Sequence, residues 1–123
     1  MRFNWLMGLG LLLLSQVSLA SVKLKQCVWV DKSTTFLYPG CINENFERLN
    51  KHTGLKFDRC TNIGDDFNPL FRRCISKNMK HVSDRLKVEL RQCAGSIPGA
   101  EYAYVQCNID NFKRIERHLS SRR

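Results

Sequence analysis

Six cysteines constrain this chain more than any other feature. They stand at Cys27, Cys41, Cys60, Cys74, Cys93 and Cys107, with successive separations of 14, 19, 14, 19 and 14, so one constant shift along the chain carries each pair onto the next. Such a period marks an internal repeat. The flanking columns follow it. Tyr38, Phe71 and Tyr104 precede the second cysteine of each pair by three positions, and Asn45, Asn78 and Asn111 follow it by four. Phe46, Met79 and Phe112 come next, then Leu49, Val82 and Ile115 at a further shared position. Ile42 and Ile75 match as well, with Asn108 in the third copy. The expected fold is therefore all-α: a small disulfide-stapled bundle built from three 33-residue helical repeats, at residues 27–59, 60–92 and 93–123.

The matching columns recur at steps of three and four, the signature of an amphipathic helix. In the second copy the stripe runs through Leu70/Phe71, Cys74/Ile75, Met79, Val82 and Leu86, and in the third through Tyr104, Cys107, Phe112, Ile115 and Leu119. One repeat cannot bury its stripe alone, so the three must meet in a common core. The first helix is predicted from near Pro39 to Gly54. The second opens with Asn68 as its cap and Pro69 in its first turn. With neither Gly nor Pro between Pro69 and Gly95, it is expected to run on to about Gln92. The third follows the breaker Gly95–Gly99. The segments Val22–Val30 and Leu55–Cys60 read as short helices, with a strand as the alternative where Val28 and Val30 alternate. Asp65 and Asp66 suit a capping or dipole role before the second helix. Asn45, Asn78 and Asn111, beside the apolar stripe, suit hydrogen bonds to loop backbone.

In a continuous second helix, Cys74 and Cys93 would lie roughly 28 Å apart, against a limit of about 7 Å for a bridge. Pairing within each repeat is favoured because it closes three equal loops, each contributing on the order of 3 kcal/mol. Bridges between copies are the alternative.

Arg2 followed by the apolar run Trp5–Leu14, then Ser18 and Ala20 at the −3 and −1 positions of a cut, reads as a signal peptide over residues 1–20. The run is too short for the roughly 20 residues of a membrane-spanning helix. A single disulfide-rich domain, residues 21–123, then remains, with a net charge of +8 against +9 for the whole chain. No later stretch is apolar enough to span a bilayer and there is no Asn-x-Ser/Thr sequon. The expectation is a secreted, extracellular, unglycosylated product with its cysteines oxidised.

Catalytic constellations are scarce: no Gly-x-Ser-x-Gly, no His-Glu-x-x-His, no phosphate-binding glycine loop and no Cys-x-x-Cys. His52, His81 and His118 are the three histidines, better read as solvated than as ligands of zinc or copper. A non-enzymatic protein with no cofactor and no metal is expected. Charge says more. On the predicted second helix Arg73, Lys77, Lys80, Lys87 and Arg91 fall within an arc of roughly 80° opposite the apolar stripe. The third helix adds Lys113, Arg114, Arg117, Arg122 and Arg123. Against the plain reading of a solvated face stands attraction to an anionic membrane surface, a sulfated glycan or an acidic extracellular receptor. Secretion argues against nucleic acid. The chain therefore reads as a cationic binding protein of toxin, antimicrobial host-defence or effector type, with Lys80, Lys87, Arg91, Arg114 and Arg117 as the candidate contacts. One alternative is a carrier enclosing an apolar ligand among Tyr38, Phe46, Phe71, Met79, Tyr104 and Phe112. The other is a helical hormone-like ligand with an exposed apolar patch.

Overall fold

The computed structural model describes residues 21–93 and 99–121. Residues 1–20, read from the sequence as a signal peptide, most of the Gly95–Gly99 breaker, and Arg122 and Arg123 lie outside these residues. The described residues form three α-helices and one short 3-10 helix, with no strand among them. We label the helices α1 (Tyr38–Thr53), α2 (Pro69–Leu86) and α3 (Glu101–Ser120). Three disulfides join Cys27 to Cys41, Cys60 to Cys74 and Cys93 to Cys107, with Cα separations of 5.7, 5.6 and 5.6 Å.

The helix starts arise from local chemistry. Asn68 has extended backbone and its side-chain oxygen accepts the Phe71 N–H at 2.8 Å, with Pro69 next at a position where no N–H is needed. The cap is thus Asn68; Asp65 and Asp66 are exposed instead, and Asp66 pairs with Lys32 at 3.2 Å. Helix α1 continues directly from the 3-10 helix Lys32–Leu37, which Asp31 caps and which the apolar periodicity does not reveal. It ends where Gly54 takes a left-handed conformation, φ 79°.

Helix α2 is shorter than its sequence pattern suggests. It stops at Leu86, not Gln92, because Lys87 turns left-handed at φ 57°. The turn lets Val88 bury and Leu90 pack against the core, and the Ser83 hydroxyl donates to the Val88 carbonyl at 2.7 Å. Burial of two apolar side chains outweighs a conformation that is uncommon outside glycine. The geometric exclusion of a Cys74–Cys93 bridge loses its premise with the shorter helix, and the observed pairing is the within-repeat one favoured for its three equal loops. Val22–Val30 and Leu55–Cys60 are neither helix nor strand. They are stretches without regular structure, and Val22, Leu24 and Phe57 lie half-buried against the core.

The core follows the predicted stripe except at Leu70, which is exposed, and adds Val105 and Ile109 from α3. Ile42, Leu49, Phe71, Val82, Val105 and Ile115 are fully buried. At the helix N-terminal end, Phe67 sits among Tyr38, Phe71 and Tyr104, with ring centroids at 4.9, 5.9 and 5.7 Å. Toward the other end, Phe46 meets Phe112 at 5.4 Å and Phe57 at 5.0 Å.

Three asparagines fasten the irregular segments to the helices. Asn45 accepts from the Lys25 N–H at 2.7 Å and donates to the Lys25 carbonyl at 2.8 Å. Asn78 holds both groups of Asp58 at 3.1 and 2.8 Å, and Asn111 both groups of Arg91 at 2.8 and 2.8 Å. Each partner lies 20 residues upstream. A primary amide offers one acceptor and a donor side by side, which is what an isolated peptide unit needs when no sheet or helix satisfies it. Asn43 makes the same two-point bond to Cys60, at 2.8 and 2.7 Å, and so ties α1 to the second disulfide.

Candidate anion-binding surface

Each helix borders the segment that leads into a cysteine pair, leaving an open cleft. Cleft one, about 380 Å³, lies between α1 and residues 56–59, and cleft two, about 470 Å³, between α2 and residues 90–93. Cleft three, about 670 Å³, lies between α3 and residues 21–23. There the Leu24 N–H donates to Glu116 at 3.0 Å, so the last helix holds the first segment of the domain.

The five candidate contacts do not share one site: three line clefts two and three, Arg114 is linked to cleft two through Asp110, and Lys87 is at a helix end. Lys80 and Arg91 line cleft two. Arg91 also lies 3.9 Å from Asp110, which Arg114 holds at 2.9 Å, so Lys80, Arg91 and Arg114 form one neighbourhood. Asp84 and Asp110 partly neutralise it: Lys80 bonds Asp84 at 2.8 Å and holds that carboxyl below its usual range, mainly through this hydrogen bond. Arg117 lies apart, in cleft three with Lys23 and Lys113, and none of these three is in an ion pair among the described residues. Lys87 sits on the left-handed turn after α2. The single arc drawn on a longer helix is therefore divided: Lys87 and Arg91 are beyond the helix end, and Lys77 is paired with Asp58 at 2.8 Å.

All three helices carry basic side chains in their last turn: Lys51 and His52, Arg85, and Arg117 and His118. This matches the negative end of each helix dipole and gathers positive charge away from the disulfide loops. Among the described residues no three His, Cys, Asp or Glu side chains come together as ligands for a metal ion.

The six side chains suited to a carrier pack on one another in the core: Tyr38, Phe46, Phe71, Met79, Tyr104 and Phe112 are all buried. Burial drives the Tyr38 phenol upward and Tyr104 to about 12. Asn108 donates to the Tyr38 oxygen at 3.2 Å, whereas the buried Tyr104 hydroxyl has no partner among the described residues.

Two features escape a reading of the helical stripes although the same period shows them. Val22 and Leu24 recur as Leu55 and Phe57 and as Val88 and Leu90, each pair just upstream of a cysteine. Extending the repeat alignment backwards from Cys27 finds them. The other is a set of exposed apolar side chains between the paired cysteines: Val28, Val30, Phe36, Leu37, Ile63, Leu70 and Tyr102. Compared with known proteins, the chain matches no family model, no curated protein and no solved structure.

Proposed function

We propose that residues 21–123 act outside the cell as a non-enzymatic cationic domain of toxin, host-defence or effector type, which works by holding an anionic surface or polymer. The supporting observation is the separation of charge. Between the paired cysteines, Lys32, Arg72 and Arg73 face Asp31, Asp65, Asp66 and Glu101, a net of −1, while the domain as a whole carries +8. Apart from Arg122 and Arg123, which lie outside the described residues, the excess therefore lies on the helix bodies, the helix C-terminal ends and the segments before each cysteine pair. Lys23, Lys113 and Arg117 around cleft three, with Lys87, are the cations best placed for a partner, and Lys80, Arg91 and Arg114 form a second, partly neutralised patch.

In this reading the domain is three copies of one 33-residue unit closed on itself. The equal disulfides, the three equivalent asparagine clasps and the contact of α3 with the first segment support it. Signal-peptide cleavage after Ala20 belongs to the same proposal.

The test is retention on immobilised heparin and co-sedimentation with anionic vesicles as salt is raised. Binding that weakens steeply with salt is expected, and replacing Lys113 and Arg117 together by Ala should lower the eluting salt more than Lys80→Ala. Binding indifferent to salt, or none to either probe, would overturn the proposal.

A further inference from the structure

Every exposed large apolar side chain among the described residues lies inside a disulfide loop. The packing around Phe67 brings those loops together. Tyr38, Phe71 and Tyr104 surround that ring, and all three belong to the first turn of their helices, so the three N-terminal ends converge there. Phe36 and Leu37 directly precede α1, Leu70 is in the first turn of α2 and Tyr102 in the first turn of α3. Trp29 lies 6.1 Å from Phe67 and so places Val28 and Val30 beside them, while the Lys32–Asp66 pair joins the first loop to the second. One pole of the molecule is thus apolar and nearly neutral, and the remainder is strongly basic.

We infer that this pole is the docking surface for a second copy of the chain, the two copies meeting pole to pole in a symmetric dimer. Area supports it. Val28, Val30, Phe36, Leu37, Leu70 and Tyr102, exposed by 59% to 75%, offer roughly 100 Å² each, together a large part of the ~800 Å² per partner of a stable interface. Apolar surface of that size at one pole is at the upper end of what an ordinary monomer leaves in water.

Charge selects the partner. The pole's three basic and four acidic groups are of mixed sign, so Arg72 and Arg73 of one copy can meet carboxylates of the other, as a self-complementary interface requires. Docking there also turns the two basic bodies outward, where their repulsion is least. An anionic membrane fits worse: it would meet a pole of slightly negative net charge while most of the cations pointed away from it.

The experiment is sedimentation velocity on the disulfide-intact protein over a range of salt, up to about 100 μM. A dimer that persists as salt rises is expected, because apolar burial is not screened whereas heparin binding is. Leu70→Glu and Phe36→Glu, both at exposed positions, should each give a monomer with unchanged far-UV circular dichroism. Lys113→Glu should leave the dimer intact and weaken heparin binding, which keeps this test separate from that of the anion-binding role. A wild-type monomer throughout the range would overturn the inference. So would a dimer that survives both substitutions. A monomer in solution that binds neutral phosphatidylcholine vesicles through Leu70 would assign the pole to a bilayer instead.

Discussion

At the scale of single residues, the three asparagine clasps show why a polar side chain recurs inside an apolar stripe. Asn45, Asn78 and Asn111 are buried and each satisfies both backbone groups of a residue that belongs to no regular element. Removing such an amide leaves a peptide N–H and a carbonyl without partners, so Asn78→Ala should cost about 2–4 kcal/mol in denaturant unfolding. Asn78→Asp should cost at least as much, since it turns an acceptor toward the Asp58 carbonyl. Tyr104 supports a second prediction. Its proton is held to about 12 by burial, whereas an unfolded chain releases it near 10. The unfolded state therefore gains stability first as pH rises, and the Tyr104 contribution to unfolding free energy should be flat below about pH 10 and fall between about 10 and 12. Phenolate absorbance that rises together with unfolding would show burial holding the Tyr38 and Tyr104 protons.

At the scale of elements, the end of each helix is decided by the segment beyond it. Gly54 and Lys87 are separated along the chain by the same spacing as Cys27 and Cys60, and both are left-handed, at φ 79° and 57°. A glycine adopts that conformation without steric cost and a lysine does not. Lys87→Gly should therefore stabilise the domain by about 0.5–1 kcal/mol, measured as a raised midpoint of thermal unfolding. The second helix was legible in the sequence from its cap, proline and stripe. Its end was not, because no local signal at Lys87 announces the turn. The turn is set by Val88 and Leu90 reaching the core, and by the hold of Asn111 on the Arg91 peptide. Distance along the chain also hides the nature of Val22–Val30 and Leu55–Cys60. Lys25 and Asp58, within them, bond to side chains 20 residues away, which neither helical nor strand periodicity encodes.

At the scale of the whole molecule, a small core and three covalent staples share the work of stability. Each bridge closes a loop of 14 residues and contributes on the order of 3 kcal/mol, a total comparable with the roughly 5–15 kcal/mol that separates a folded domain from its unfolded chain. Reduction of all three should unfold the protein at room temperature, seen as loss of helical circular dichroism in reducing buffer and recovery on reoxidation. The sequence by itself determined the helical class, the cysteine period and the buried columns, because apolar periodicity and cysteine spacing are local patterns written along the chain. Only the tertiary structure decided where α2 stops, which cations stand outside ion pairs, and that the helix N-terminal ends converge around Phe67. Those depend on which distant segments meet, and a chain folded back on itself creates neighbours that no spacing along it records.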